Sequence, residues 1–279
     1  RPISDRMEGN KMKRLTNRVA LVTSSTRGIG LACAKRLAAE GALVYLAARS
    51  EEAALNVIRS VQEDGGRAKF VYFNAREPET YSAMIEAAVQ NEGRLDILVN
   101  NYGGTDVRLD HNVTEGDTEA SFRVLEDNVR SVYLSAKAAI PHMEKGGGGS
   151  IVNISSVGSV VPDLSRTAYA VSKTAVNALT QCIAVQYAHR KIRCNAVLPG
   201  LTATRAALDN MSDSFRSSFL KHVPLGRIAA PEDIAAAAAF FAGDDASYIT
   251  GTLLEVAGGF ALPTPMYGDL MEGRFPNYL

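Results

Sequence analysis

The sequence predicts an α/β fold: a single doubly wound, parallel seven-stranded sheet with helices on both faces. Three observations point to it. Short apolar runs alternate with helical patterns along the chain. The runs lack polar/apolar alternation, which indicates strands buried on both faces. A chain of 279 residues, 46% hydrophobic and 22% charged, suits one domain with a full-sized core.

The strands are expected at residues 19–23, 44–47, 70–73, 97–100, 151–155, 194–198 and 253–256, rich in Val, Ile, Leu and Ala. Between them, residues 31–40, 53–64, 80–92, 122–143 and 168–189 carry helical patterns. A βαβα order of this kind places ligand at the carboxyl ends of the strands. "KGGGGS" (145–150) reads as glycine after a helix end followed by a short turn into the next strand. Residues 1–14 are polar and read as a flexible lead-in, so the fold is expected to begin near Leu15. Residues 260–279, rich in Pro, aromatics and Leu, form a C-terminal tail expected either to pack across a subunit boundary or to fray.

Lys+Arg and Asp+Glu both number 30, so nothing favours a nucleic-acid partner. No apolar run approaches the ~20 residues that span a bilayer. Cys33, Cys182 and Cys194 form no C-x-x-C pair, and no His/Cys cluster suits a metal. All three are expected to be buried free thiols, which favours a reducing cytoplasm.

After the first strand comes "TSSTRGIG", Thr23 to Gly30. A strand, a tight turn and a helix whose amides point at pyrophosphate make a Rossmann-type dinucleotide site. Gly28 and Gly30 allow close backbone approach, with Ile29 beneath; Ser25 and Thr26 complete the turn. Ser24 is small, with a hydroxyl for a helix cap or a phosphate. The second strand ends "YLAARS", with Arg49 where an NAD site places a carboxylate. Arg27 adds a second guanidinium, and two such groups suit a 2′-phosphate, hence NADP.

"NISSVGSVVPDLSRTAYAVSK" carries the chemistry. Tyr169 and Lys173, four apart, share one helix face. A nearby ammonium favours the phenolate and makes tyrosine a general acid/base. Ser156, just past the fifth strand, is placed to donate to a substrate oxygen.

With "LDILVNNYGG", "EDNVRSVY", "IVNISSVGS", "YAVSK", "RCNAVLPGLTAT" and "ITGTLLEVAGG", the chain resembles the short-chain dehydrogenase/reductases from about Leu15 to Gly259. The resemblance implies a tetrad of Asn128, Ser156, Tyr169 and Lys173. Lys173 would also bind the nicotinamide ribose, and Asn128 would hold a water linking Lys173 to solvent. Asn101, Tyr102 and Gly103 would lie near that ribose, Asn74 and Ala75 near adenine, and Pro199, Gly200, Thr202 and Thr204 near the nicotinamide carboxamide. The sequence departs from the family at Ser24, for the first loop glycine, at Tyr102, for alanine, and at Asn74, for aspartate.

Within the family, "ALVTSSTRGIGLA", "VPDLSR" and "SFLKHVPL" are similar to a bacterial NADP-dependent subgroup that oxidises the 7α-hydroxyl of bile acids reversibly to the 7-oxo form. Residues 201–225 are expected to form a lid, with Leu208, Met211, Phe215, Phe219 and Leu220 offering an apolar wall to a steroid. Arg166, Arg205 and Lys221 are available for a distant carboxylate. The alternatives are a 3α-hydroxysteroid, a 3-oxoacyl thioester or a sugar alcohol as substrate, or a non-catalytic NADP-sensing regulator. Helices 122–143 and 168–189 have apolar residues on more than one face, and the resemblance implies a homotetramer.

Overall fold

The computed structural model describes residues 13–209 and 211–275. In chain order the elements are β1 (Val19–Thr23), α1 (Gly28–Ala39), β2 (Leu43–Ala48), α2 (Glu51–Glu63), β3 (Arg67–Tyr72), α3 (Glu79–Glu92), β4 (Ile97–Asn100), α4 (Thr118–Lys145), β5 (Gly149–Ile154), α5 (Thr167–Tyr187), β6 (Ile192–Pro199), α6 (Arg205–Leu208), α7 (Asp213–Leu220), α8 (Pro231–Ala242), β7 (Leu253–Val256) and α9 (Tyr267–Met271). All strands are parallel, in the order β3-β2-β1-β4-β5-β6-β7. The order reverses between β1 and β4, which opens a crevice at their carboxyl ends.

The sheet splits two cores. Ala20 and Val22 of β1 join α1, α2 and α8 on one face; Val19 and Leu21 join α3, α4 and α5 on the other. The alternation of Cβ direction along a strand sends successive residues to opposite cores. The expectation of burial on both faces fails at the edges. β3 alternates, with Arg67, Lys69 and Tyr72 exposed, and Glu255 of β7 is exposed, because one face or one side of an edge strand meets solvent.

Leu15, near which the fold is expected to begin, is buried and donates to Glu40 O at 2.9 Å. Arg14 is nevertheless part of it, paired with Glu40 and Asp245. The rest of the lead-in, residues 1–12, lies outside the described residues. α4 closes at Gly146, Gly147 and Gly148 take positive φ, and β5 starts at Gly149, so the glycine run is the turn expected of it. Cys33 and Cys194 are buried, and burial pushes the Cys33 thiol up to about 12. Cys182 is exposed, contrary to expectation. It falls at helical spacing with Val171 and Val185 on the outer stripe of α5, both exposed, while Ile183 and Ala184 face the core.

Candidate active site

The loop between β1 and α1 begins with Ser24 at φ 54°, in the left-handed region that favours glycine. Its N–H donates to Ala47 O at 2.8 Å, and its carbonyl accepts from Asn101 Nδ2 at 3.2 Å. Ser24 does not cap α1: Arg27 occupies the N-cap position, no side chain caps the helix, and its first turn holds no acidic residue. The first amides of α1 are thus free of an internal competitor for an anion. Gly30 packs where a Cβ would fall on Ser24 O and Asn101 Nδ2. Ser25 Oγ is buried without a hydrogen-bond partner. An uncapped helix start, a glycine cradle and an orphaned hydroxyl fit a dinucleotide pyrophosphate.

At the ends of β2 and β3 the charge is positive. Arg27 and Arg49 are exposed, and neither forms an ion pair with a described residue. The sequence reading missed a third cation, Arg76. Arg49 and Arg76 both act electrostatically on Tyr102, whose phenol is nonetheless raised above the usual range by burial. Asn74 spends its amide on Glu77 Oε1 at 2.7 Å, and Ala75 is buried, its carbonyl held by Tyr81.

After β4, Asn101 N and Tyr102 N both donate to Thr23 Oγ1, at 2.9 and 3.1 Å, lacing this loop to the glycine loop. Gly103 then runs so close to α5 that a Cβ there would lie 2.9 Å from Lys173 Nζ and 3.0 Å from Asn128 Oδ1.

Ser156, Tyr169 and Lys173 converge beyond the end of β5. The half-buried Tyr169 phenol lies by the Ser156 hydroxyl, which accepts from Gly158 N at 3.1 Å, and the Lys173 ammonium lies 5.7 Å from the phenol ring centroid. Lys173 Nζ donates to Ile154 O at 2.9 Å. Burial pushes its pKa down to about 8. Burial also raises the Tyr169 phenol above the usual range, opposed by the nearby Ser156 hydroxyl and the Arg166 charge. Asn128 is committed: Oδ1 accepts from Gly104 N at 2.9 Å, and Nδ2 donates to Gly104 O at 3.1 Å and Ser172 Oγ at 2.8 Å. Its side chain fixes the loop beside Lys173. A buried relay from Asn100 Nδ2 to Asn153 Oδ1, and from Asn153 Nδ2 to Thr180 Oγ1, ties β4, β5 and α5 together and was not foreseen.

Beyond β6, Thr202 Oγ1 donates to Gly200 O at 2.9 Å, and Thr204 Oγ1 caps α6. Thr204 Cγ2 would lie 3.3 Å from a Cβ on Gly28, so this segment abuts the glycine loop. The segment 201–225 forms two short helices with no buried residue in either. Leu208 and Phe215 are exposed and Met211 is half-buried. Phe219 stacks on Phe215 at 6.1 Å and on Phe260 of the tail at 4.9 Å. The tail folds back onto its own chain: Leu225 N donates to Gly258 O, and Lys221 pairs with Glu272 at 2.5 Å. Residues 276–279 lie outside the described residues. All three cations offered for a substrate carboxylate are therefore paired, Arg166 with Asp163, Arg205 with Asp209 and Lys221 with Glu272.

A family model described as enoyl-(acyl carrier protein) reductase covers residues 23–261. The 7alpha-hydroxysteroid dehydrogenase of Clostridium sardiniense is 68% identical over 258 residues, 92% of this chain and 98% of that protein. The chain belongs to the short-chain dehydrogenase/reductase family. A second relative, the 7alpha-hydroxysteroid dehydrogenase of Paraclostridium sordellii, is 52% identical over 94% of this chain and 99% of its own. The solved structure of a 7α-hydroxysteroid dehydrogenase complexed with NADH and 7-oxoglycochenodeoxycholic acid superposes with a TM-score of 0.84 at 32% identity, over 89% of this chain and 96% of the other.

The three departures from the short-chain dehydrogenase pattern now have structural accounts. Ser24 takes a left-handed backbone angle, the region that favours glycine. Tyr102 packs edge-on to Phe73 at 6.3 Å, next to the Phe73–Tyr81 pair at 5.0 Å. Asn74 forms a turn with Glu77 and Arg76 N.

Proposed function

We propose that this chain is an NADP-dependent oxidoreductase that interconverts the 7α-hydroxyl of a bile acid and the 7-oxo group. The observation that carries the chemistry is the convergence of Ser156 and the Tyr169 phenol beside a buried ammonium. The 68% identity to a 7alpha-hydroxysteroid dehydrogenase supports the steroid and the position on it.

When bound, NADP+ accepts and NADPH donates the hydride. Ser156 donates to the steroid oxygen in both redox states. Tyr169 takes the hydroxyl proton as the carbonyl forms and returns it in the reverse direction. Lowering a phenol pKa of about 10 to neutrality takes ~4 kcal/mol of differential stabilisation. Burial opposes that here, so it falls to the positive charge of Lys173 and of an oxidised nicotinamide. Lys173 also holds the nicotinamide ribose, and Asn128 is assigned the water that links it to solvent. Thr23 to Gly30 cradle the pyrophosphate, Asn74 and Ala75 border adenine, and Asn101 to Gly103 border the ribose. Pro199, Gly200, Thr202 and Thr204 orient the carboxamide.

Arg27 and Arg49, which form no ion pair with a described residue, together with Arg76 favour a 2′-phosphate where β2 ends without a carboxylate. In this respect the reading differs from the NADH of the structural neighbour. Leu208, Met211 and Phe215 supply an apolar wall for the steroid. The exposed Phe122, Tyr133, Val171 and Val185 on α4 and α5 support burial against further copies of the chain, as a homodimer or homotetramer. Free cysteines fit a reducing cytoplasm.

The test is a panel of bile acids differing only at positions 3, 7 and 12, each assayed with NADP and then NAD. Turnover confined to 7α-hydroxyl compounds with NADP is expected. Turnover that follows position 3 or 12, or a clear NAD preference, overturns the corresponding part.

A further inference from the structure

The helix that carries Tyr169 is anchored from outside itself. α5 begins at Thr167, with Arg166 as N-cap at φ 61° and no side chain of its own to cap it. A helix leaves its first N–H groups without internal partners. Here four consecutive ones go to two residues of the loop between β4 and α4. Arg166 N donates to Asp110 O at 3.0 Å and Thr167 N to His111 O at 3.2 Å. Ala168 N donates to Asp110 Oδ1 at 2.9 Å and Tyr169 N to Asp110 Oδ2 at 3.0 Å. The first bond internal to the helix follows at Ala170, to Arg166 O.

Asp110 is 1% exposed. Its Oδ2 accepts a third hydrogen bond, from Thr105 Oγ1 at 2.7 Å. The carboxylate charge is met by the helix start, where negative charge is favoured. The same loop holds Gly103 and Gly104, and Asn128 bridges Gly104 to Ser172 one turn into α5. Tyr169 thus sits between two attachments of one loop. Lys173 is held separately, by Ile154 O. Loosening the first turn would move the phenol and leave the ammonium in place.

We propose that Asp110 is a positioning residue for proton transfer: it fixes the first turn of α5 so that the Tyr169 phenol meets Ser156 and the Lys173 ammonium. This rests on Tyr169 as the proton carrier. The rest of α5 is packed through Val176, Ile183 and Ala184, so the helix is expected to survive loss of the anchor.

The test compares Asp110→Ala, Asp110→Asn and Tyr169→Phe with wild type, on whichever hydroxysteroid of the panel wild type turns over. For Asp110→Ala, kcat is expected to fall about 10- to 100-fold while the steroid KM and the cofactor Kd, read by NADPH fluorescence, stay within about threefold. The solvent deuterium isotope effect on kcat is expected to rise as proton transfer becomes limiting. Asp110→Asn keeps one acceptor oxygen and is expected to fall between the two. Wild-type kcat and isotope effect in Asp110→Ala, with lowered thermal stability, would make Asp110 a structural cap only and overturn the proposal. Where Asp110→Ala does not fold, Asp110→Asn decides by the same two readouts. Retained turnover in Tyr169→Phe overturns the tyrosine reading and the role of Asp110 with it. Turnover lost in Tyr169→Phe beside unchanged Asp110 variants overturns the role of Asp110 alone.

Discussion

Lys173→Met is expected to stabilise the protein while removing its activity. Lys173 is 4% exposed, and burial lowers its pKa from 10.5 to about 8. At about 1.36 kcal/mol per pKa unit, keeping that proton in the fold costs ~3 kcal/mol at neutral pH. Methionine fills the same unbranched channel without the charge. It forfeits the hydrogen bond to Ile154 O, worth about 1 kcal/mol. The net gain is about 2 kcal/mol, or roughly 4–8 °C in Tm for a chain of this size. The folded pKa lies below the unfolded one. Between about pH 8 and pH 10.5 the unfolded chain therefore holds a proton that the folded protein has released, and wild-type stability rises across that window. The advantage of methionine should be full at pH 7, shrink through the window and give way above it to a deficit of about 1 kcal/mol, the lost hydrogen bond. Urea unfolding followed by far-UV circular dichroism, without nucleotide and at matched protein concentration, reads it directly. A Lys173→Met protein less stable than wild type at pH 7 would refute the reasoning, as would an advantage that does not change between pH 8 and pH 10.5.

Gly103→Ala places a methyl 2.9 Å from Lys173 Nζ at a φ of 150°; kcat/KM is expected to fall by about 10- to 100-fold with a loss of stability of about 1–3 kcal/mol, read by steady-state kinetics and urea titration. Arg49→Ala is expected to weaken NADPH by about 10-fold while leaving NADH within about twofold, because a guanidinium–phosphate pair at an exposed site is partly screened. Arg76→Ala should give a smaller loss of the same kind in the same fluorescence titration, and equal effects on both nucleotides would sink the 2′-phosphate assignment. Truncation after Gly259 removes the Phe260 ring from Phe219 and Glu272 from Lys221. The steroid KM is expected to rise about 3- to 10-fold, with cofactor Kd unchanged; an unchanged KM would show that the tail does not shape the lid.

The parts of the site legible in the sequence are those fixed by local geometry. Strand, turn and helix placed the glycine loop, and a spacing of four put Tyr169 and Lys173 on one face. The parts that were missed depend on closure between distant segments. Asp110 reaches α5 across 58 positions, Asn100 reaches Asn153 across 53, and Arg76 is significant only because β3 lies next to β2. A buried aspartate in "RLDHN" has no spacing signal, since its partners are backbone amides that any residue supplies. The lid was half legible for a related reason. An amphipathic segment announces an apolar face, but Phe219 turned to Phe260 rather than to solvent, and the pattern alone does not name the partner.

Local rules are broken where the chemistry gathers. Ser24 and Arg166 both hold left-handed backbone angles that suit glycine, at about 1–2 kcal/mol each. Lys173 buries an ammonium that donates to a backbone carbonyl, Ile154 O. Ser24 opens the loop before α1, and Arg166 opens the helix before Tyr169, so each strained residue sets the direction of an element whose first turn carries the proposed binding or chemistry. The stabilising counterparts are neighbours: Asn101 holds the Ser24 carbonyl, Asp110 holds the amides after Arg166, and Ile154 O holds the ammonium. Asn101 and Ile154 stand at the carboxyl ends of β4 and β5, in the middle of the sheet, and Asp110 stands in the loop that follows β4. These contacts thus offset the least favourable conformations at the carboxyl edge, where a doubly wound sheet leaves room for a ligand.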